Sequence, residues 1–195
     1  MASYRITGVE TLYEGWGKLL KLKVATPDGR TMDREVEDHG AAVAVLPYDP
    51  ERRTAMLVRQ FRAPVLHIGG PSDLLEAPAG MLDEDDPQDC ARREAHEEVG
   101  LRLRSLEPLG AAWAMPGIST EVIHLYLAPY GLNDRISQGG GLAEEHEDIE
   151  VVELPLTELW AMVQQGSVLD LKTLFLVQAL RIRRPDVFGA PQDAP

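Results

Sequence analysis

The sequence has a single cysteine, Cys90, so it can form no internal disulfide and offers no zinc site built from several cysteines. It also has no apolar run approaching the roughly 20 residues that a membrane-spanning helix needs. The first residues, MASYR, have no signal-like character and lead into a polar stretch. We therefore expect a cytoplasmic protein with no membrane attachment.

Basic residues are scarce. The chain of 195 residues has 19 lysines and arginines against 32 aspartates and glutamates, which gives a formal net charge of −13. This balance argues against binding along a nucleic-acid backbone, and its simplest effect is solubility. The acid is concentrated at 82–89, 94–98 and 143–153, and such a concentration can hold a divalent cation that recruits an anionic substrate. The composition is otherwise that of a globular protein long enough to bury a core.

The pattern along the chain predicts a mixed α+β fold. Alternating or apolar runs predict strands at 18–24, 31–40, 41–49, 54–61, 73–80, 103–113 and 120–129. A helix is expected from Pro87 to Gly100, because proline suits a first helical turn and glycine a last one. Two amphipathic helices are expected at 154–166 and 170–184, followed by a loose tail. Gly139-Gly140-Gly141 opens an acidic loop at 137–148, where we interpret the glycines as giving mobility.

The predicted helix at 87–99 carries three acidic side chains on one face. At 100° per residue, Glu94, Glu97 and Glu98 fall within an arc of about 100°, with Arg93 beside them. Next to this acidic arc around the helix axis lies a stripe of small apolar residues, formed by Ala91, Ala95 and Val99. An isolated acidic cluster is usually a solvated surface, but this stripe indicates a helix docked on a sheet. Carboxylate oxygens in this number suit a hard divalent ion such as Mg²⁺.

The segment GMLDEDDPQDCARREAHEEVGL resembles the Nudix box, whose second half reads R-E-U-x-E-E-x-G-U, where U is a bulky aliphatic residue. Residues 93–101 match this half except that Ala95 is small. In the first half, the box glutamate falls on Asp85 and the loop from Gly80 is one residue short. Because the helix carries the ligands and the loop mainly presents it, the sequence is identified as a member of the Nudix family.

Four further stretches are similar to the branch of this family that acts on nucleoside diphosphate sugars. They are VRQFR at 58–62, EAPAG at 76–80, Pro116 fifteen residues after the box, and the run from Gly139 to Pro155. The resemblance implies a Nudix α/β/α sandwich with a small N-terminal antiparallel β-subdomain. The subdomain would be residues 1–40, contributing to dimerisation and to the substrate site, with the hydrolase domain at 41–185 and a C-terminal tail at 186–195. It also implies a homodimer with shared active sites.

The resemblance implies Mg²⁺-dependent hydrolysis of the pyrophosphate bond of GDP-mannose or ADP-ribose, with Mn²⁺ as a substitute metal. The products would be a nucleoside monophosphate and a sugar phosphate. By similarity the metal ligands are the Ala79 carbonyl, Glu94, Glu97, Glu98 and Glu147, with Arg93 orienting Glu94 or Glu97. Bound metal would lower the pKa of an attacking water. Glu147 or Glu145 would take its proton if a base is needed.

Substrate contacts also follow from the resemblance: Trp16, Arg34, Glu35, Arg62, Gly80, Met81, Glu121 and Lys172. A buried or interface tryptophan is the alternative for Trp16, and a solvated lysine is the alternative for Lys172. Two other functions stay open. One is hydrolysis of another linked diphosphate, such as a dinucleoside polyphosphate or NADH. The other is a non-catalytic module that senses a nucleotide, although such modules commonly lack the box glutamates that this chain retains.

Overall fold

The computed structural model describes residues 3–82, 86–142 and 149–189. The chain divides into two compact units, one of Met1–Ala42 with Ala111–Ile123 and the other of Val43–Gly110 with His124–Pro195. The sequence assigned 111–123 to the larger domain. The segment joins the first unit because backbone hydrogen bonds link Glu37 to Ile118, at 2.8 Å, and to Thr120, at 3.0 Å.

The first unit contains a three-stranded antiparallel sheet of β1 (Arg5–Glu14), β2 (Lys18–Ala25) and β3 (Thr31–Asp38). Strands β2 and β3 pair without interruption from Lys18 opposite Asp38 to Ala25 opposite Thr31. Strand β1 lies at the edge with two register irregularities, and all ten of its residues are exposed. The predicted N-terminal antiparallel sheet is confirmed, with one strand more than the sequence pattern indicated.

A seven-stranded sheet follows, with the order β10-β5-β4-β9-β8, β6 paired to β5 and β7 paired to β4. Its strands are β4 (Ala41–Asp49), β5 (Thr54–Phe61), β6 (Asp73–Glu76), β7 (Ala79–Leu82), β8 (Glu107–Trp113), β9 (Val122–Pro129) and β10 (Ile149–Pro155). The single strand predicted at 73–80 is therefore two strands, because Ala77 and Pro78 lie between β6 and β7. Proline has no N–H to donate to a sheet ladder, which explains the break.

Four α-helices lie within the described residues: α1 (Ala63–His67), α2 (Pro87–Val99), α3 (Leu156–Gln164) and α4 (Leu171–Arg183). The three long helices were predicted, whereas the short α1 was not. None of the helices in the described part of the chain is long and apolar enough to span a membrane.

The core of the second unit lies on both faces of its sheet. The small stripe of α2 packs with Val43 and Val45 of β4 in one buried cluster. Ala44 and Leu46 alternate with these valines along β4 and are equally buried, so the strand is covered on both faces. Helices α3 and α4 bury four leucines: Leu156, Leu159, Leu176 and Leu180. This layered arrangement agrees with the predicted α/β/α fold.

The tail predicted from residue 186 begins later than expected. Pro185–Phe188 form a 3-10 turn in which Val187 and Phe188 are buried. The Phe188 ring meets Trp160 edge to face, with ring centroids 6.2 Å apart. This aromatic contact accounts for the order of a segment whose composition resembles a tail. Residues 190–195 lie outside the described residues.

Candidate active site

Helix α2 has a defined start and a defined end. The Asp86 side chain accepts a hydrogen bond from the Gln88 N–H at 2.9 Å, and Pro87 occupies the first helical position. At the other end Gly100 adopts a left-handed conformation with φ of 71°. The N–H groups of Gly100 and Leu101 then donate to the carbonyls of His96 and Ala95, each at 3.0 Å. These caps fix the helix that carries the predicted metal ligands.

Two of its glutamates are buried against strand β7. Glu98 is 2% exposed, and its Oε2 accepts a hydrogen bond from the Ala79 N–H at 3.1 Å. The Glu94 carboxylate lies against Gly80 so closely that a Cβ at position 80 would stand 2.1 Å from Oε1. A side chain at position 80 would therefore require the Glu94 carboxylate to move. Two carboxylates one helical turn apart are thus brought to the same short segment of β7.

Arg93 binds both neighbouring glutamates. Its Nη1 lies 2.9 Å from Glu94 Oε1 and 3.0 Å from Glu97 Oε2, and Nη2 lies 3.4 Å from Cys90 Sγ. Burial alone would lower the pKa of Arg93, but the negative charge of Glu94, together with Cys90 and Glu97, raises it. The arginine therefore offsets the repulsion between the carboxylates. The contacts join Arg93 to Glu94 and Glu97 together, where the sequence left a choice between them.

The triple glycine contacts the end of the same helix. The Gly140 N–H donates to the Glu98 carbonyl at 2.8 Å, and the Gly141 N–H donates to the Glu97 carbonyl at 3.1 Å. All three glycines have positive φ, at 73°, 110° and 77°. The structure thus gives these glycines a conformational and packing role at the end of the helix, and the mobility inferred from the sequence stays a prediction. The acidic segment 143–148, with the predicted Glu145 and Glu147, lies outside the described residues, as does Asp85.

A cluster of charged groups surrounds a buried glutamate at the end of β6. Glu76 is 1% exposed, and its two oxygens accept from Arg62 Nε at 2.7 Å and Nη2 at 2.8 Å. Lys172 Nζ also contacts Glu76 Oε2, and it lies 2.9 Å from Asp170 Oδ1. Burial alone would raise the pKa of Glu76, but the hydrogen bonds and charges of Arg62 and Lys172 hold it below its usual range.

The two charged clusters are electrostatically connected. The hydrogen bond to Glu76 is the largest influence raising the pKa of Arg62, and it outweighs burial. The negative charges of Glu98 and Asp170 raise it further. Arg62 therefore lies within electrostatic reach of a predicted metal ligand.

The other predicted substrate residues lie in both units. Gly80 and Met81 are in β7 of the second unit, with Met81 half exposed. Trp16, Arg34, Glu35 and Glu121 belong to the first unit. Trp16 is 79% exposed and its ring lies 5.1 Å from that of His39, so the alternative of a core tryptophan is wrong. Arg34 Nη1 donates to the Asp33 carbonyl at 2.9 Å.

The sequence did not indicate that Glu76 and Asp170 contact the predicted Arg62 and Lys172, or that Thr173 contacts Asp170. Asp170 precedes the helical pattern of α4, and its carboxylate caps that helix by accepting from the Thr173 N–H at 2.9 Å. The N-cap rule could have identified it. Glu76 stands in the quoted EAPAG, but its partners Arg62 and Lys172 lie 14 and 96 positions away along the chain. No local pattern reports such pairings.

The donors suit a hard divalent cation. Among the residues that the structure describes, no three histidine, cysteine, aspartate or glutamate side chains are grouped closely enough to hold a metal ion. Glu94 and Glu98 nevertheless supply two carboxylates beside strand β7. Glu147, the predicted distant ligand, lies outside the described residues. All of these donors are oxygens, as Mg²⁺ prefers.

Comparison with known proteins places these residues in context. A family model described as the NUDIX domain matches residues 38–171. A GDP-mannose pyrophosphatase of Cronobacter sakazakii is 44% identical over 151 residues, which cover 77% of this chain and 78% of that protein. A GDP-mannose pyrophosphatase of Yersinia enterocolitica is 40% identical over 178 residues, covering 89% and 92%.

A solved structure of an ADP compounds hydrolase has a similar fold. Its TM-score against this chain is 0.73, and the superposition covers 93% of this chain and 94% of that one. The sequence identity is 19%, so the likeness concerns the fold.

Proposed function

The chain belongs to the Nudix family, and we propose that it hydrolyses the pyrophosphate bond of a nucleoside diphosphate sugar with the help of Mg²⁺. The products are a nucleoside monophosphate and a sugar phosphate. The observation that carries this proposal is the pair of buried carboxylates, Glu94 and Glu98. The backbone segment 76–79 links Glu98, through the Ala79 N–H, to the cluster of Arg62, Glu76 and Lys172. Carboxylates that hold a divalent cation, beside two basic groups, match the charge of a diphosphate.

Four residues of α2 have distinct parts in the proposed site: Arg93, Glu94, Glu97 and Glu98. Glu94, Glu98 and the Ala79 carbonyl hold Mg²⁺, with Mn²⁺ as a substitute. A divalent cation held there would supply Lewis-acid chemistry to the diphosphate and would lower the pKa of a water. Arg93 holds Glu94 and Glu97 in one orientation through its Nη1 contacts to both carboxylates. Glu97 is a further ligand or a partner of metal-bound water.

Glu147 is proposed as the distant ligand, with Glu147 or Glu145 as the base. The described residues on both sides of this segment support the proposal. Gly141 is hydrogen bonded to the Glu97 carbonyl, and a Cβ at Gly140 would lie 3.7 Å from the Ile149 carbonyl. Gly141 and Ile149, on either side of this segment, therefore lie near the C-terminal end of the helix that carries Glu97 and Glu98.

The substrate contacts expected from the sequence are proposed here residue by residue. Arg62 and Lys172 bind phosphate oxygens, while Gly80 and Met81 contact the substrate through β7. Trp16 stacks on the base, for which its exposed ring is available. Arg34, Glu35 and Glu121 are proposed as further substrate contacts. GDP-mannose is the first substrate to test, because the relatives named above are GDP-mannose pyrophosphatases, and ADP-ribose is the second.

A substrate panel with Mg²⁺ tests the proposal. It contains GDP-mannose, ADP-ribose, GDP-glucose, UDP-glucose, NADH and dinucleoside polyphosphates, and the products are identified by chromatography. We expect turnover of GDP-mannose or ADP-ribose to a nucleoside monophosphate and a sugar phosphate. Preferred cleavage of NADH or a dinucleoside polyphosphate would instead favour the alternative substrates. No turnover of any member would favour a nucleotide-sensing module.

We also propose a homodimer formed through β1, in the cytoplasm. This edge strand is exposed along its whole length and carries exposed apolar side chains, with Ile6 55%, Val9 61% and Tyr13 65% exposed. An unpaired strand edge with apolar side chains is a typical pairing surface. A second copy of the chain would cover it.

Sedimentation velocity at micromolar protein tests the dimer. We expect twice the chain mass of 21.5 kDa, and we expect Val9→Glu to shift the protein to monomer because the new charge would be buried at the interface. Ile182→Glu is the matched control, since Ile182 is an equally apolar residue that is 80% exposed on α4. A monomeric wild type, or a dimer that survives Val9→Glu, would contradict the β1 interface.

A further inference from the structure

We propose that Glu76 is a positioning residue for substrate binding: it holds Arg62 and Lys172 side by side so that both present N–H donors to the diphosphate. The inference rests on the proposed function and extends it to a residue that does not itself contact substrate. It follows from three features of the second unit: the geometry of the Glu76 carboxylate, the donors that remain on its two partners, and the backbone segment that links it to Glu98.

The Glu76 carboxylate fixes two cations at once. Its side chain is 2% exposed, and each oxygen receives one N–H of the Arg62 guanidinium in a bidentate pair. The ammonium of Lys172, from the first turn of α4, contacts Oε2. A planar bidentate pair restrains the guanidinium in rotation as well as in position. One buried carboxylate therefore sets both the direction of Arg62 and its spacing from Lys172.

Both cations keep donors for another partner. Arg62 carries five N–H donors, and within the described residues its side chain makes the two hydrogen bonds to Glu76. Its side chain is 39% exposed, unlike the carboxylate that holds it. Lys172 has three N–H donors, of which one is directed to Glu76 and one to Asp170. The remaining donors suit the oxygens of a diphosphate.

A short backbone segment connects this cluster to the glutamates of α2. From Glu76, Ala77 donates its N–H to Thr173 Oγ1 at 2.6 Å, and the Pro78 carbonyl accepts from the Val45 N–H at 2.9 Å. Ala79 then donates to Glu98 at 3.1 Å. Each residue from 76 to 79 thus has a hydrogen bond that restrains it. These bonds hold the pair of cations at a fixed position relative to the metal-binding carboxylates.

Stability alone is a weak reason for this arrangement. Desolvating a carboxylate and its cations costs about as much as their attraction returns, and apolar residues of similar volume are often neutral replacements. Positioning two donors beside a site that binds a diphosphate accounts for the cluster directly.

The test is Glu76→Gln compared with Glu153→Gln. The amide that replaces Glu76 must direct an N–H₂ group at a donor of Arg62 or Lys172 whichever way it is turned, so the cations lose their common anchor. Glu153 is the matched control: its Oε1 accepts from Arg52 at 2.6 Å, from Thr54 at 2.8 Å and from Tyr130 at 3.0 Å. It is a networked carboxylate of the same unit outside the proposed site.

We expect Glu76→Gln to raise KM for the nucleoside diphosphate sugar about tenfold or more while kcat stays within about threefold, since lost ground-state binding acts on KM. Glu153→Gln is expected to lower the melting temperature without changing KM. The affinity for magnesium pyrophosphate, measured by titration calorimetry, should fall with Glu76→Gln by a factor similar to the rise in KM. In a Lys172→Met background, Glu76→Gln should have a smaller effect on KM, because one of its two partners is already absent.

An unchanged KM and an unchanged pyrophosphate affinity in folded Glu76→Gln would overturn the inference while leaving the proposed function in place. An equal effect of Glu76→Gln with and without Lys172 would also count against it. If wild-type protein turns over no member of the panel, the proposed function fails, and the pyrophosphate titration alone decides the role of Glu76. Should Glu76→Gln not fold, Glu76→Asp keeps the charge but shortens the reach, and the same rise in KM is expected.

Discussion

Replacing Glu98 with glutamine is expected to lower kcat about a thousandfold at saturating Mg²⁺ and to leave the protein folded. Glu98 is 2% exposed, and its Oε2 accepts the Ala79 N–H at 3.1 Å. The amide oxygen of glutamine can accept the same hydrogen bond, so the contact with β7 is retained. What is lost is the negative charge that the proposed metal needs. The measurement is kcat against Mg²⁺ concentration, with circular dichroism as the check on folding.

Asp89→Asn is the matched control for this variant. Asp89 is an acidic residue of the same helix, but its side chain is 75% exposed and pairs with Arg92 at 3.0 Å. An exposed pair of this kind contributes little, and we expect kcat to stay within about twofold. Near-wild-type turnover by Glu98→Gln at saturating Mg²⁺ would show that Glu98 is not a metal ligand. An equal loss in both variants would point to a general effect of charge on α2.

Replacing Gly139 with alanine is expected to reduce the free energy of unfolding by about 3 kcal/mol and to reduce activity with it. Gly139 has φ of 73°, which alone disfavours a side chain. A Cβ at this position would also stand 2.4 Å from the Glu98 carbonyl oxygen and 2.7 Å from Val99 Cα. Both obstacles belong to the backbone, so no side-chain rotation can relieve them. Urea unfolding gives the stability change, and Mg²⁺-dependent turnover gives the functional one.

Gly29→Ala separates the two causes. Gly29 also has positive φ, at 86°, but a Cβ there would meet no atom within 4 Å. It should cost only the conformational part, about 1 kcal/mol. If the two alanine variants are equally destabilised, the close approach of the glycine segment to α2 has no energetic consequence. A normal free energy of unfolding for Gly139→Ala would contradict the packing described for the end of that helix.

The helix with the glutamates was predictable because its residues obey a single local period. Ala91, Ala95 and Val99 are fully buried, as their spacing indicated, and His96 is exposed. Pro87 and Gly100 marked its ends correctly. Local periodicity and end signals were sufficient here because the buried residues of the helix all lie on one side of it.

Strand β1 was not predicted because its sequence has no alternation of buried and exposed side chains. Each of its residues is exposed, so apolar and polar side chains do not alternate between a core and solvent. The short α1 has five residues and includes a proline, which gives too few turns for a period to be visible. Strand β10 begins directly after an acidic stretch that dominates the local composition. In these three cases the pattern that predicts structure was absent.

The Glu76 cluster was missed for a different reason. Its members come from β6, from the residue before α1 and from the start of α4, so they meet through tertiary packing. The positive φ of the three glycines could not be predicted from the sequence either. A mobile loop and a backbone that requires positive φ both favour glycine, so its presence does not distinguish them. The sequence could identify the residue types of the site, whereas its partnerships needed the fold.

The central claim is that the carboxylates of α2 hold a divalent cation on which hydrolysis of a nucleoside diphosphate sugar depends. The most direct test is the hydrolysis of GDP-mannose, and then of ADP-ribose, by protein depleted of metal with EDTA as Mg²⁺ is added back. Phosphorus NMR identifies the products. We predict no turnover before addition, and a nucleoside monophosphate with a sugar phosphate as Mg²⁺ rises. Turnover of either sugar nucleotide that persists at the full rate in EDTA would contradict the claim.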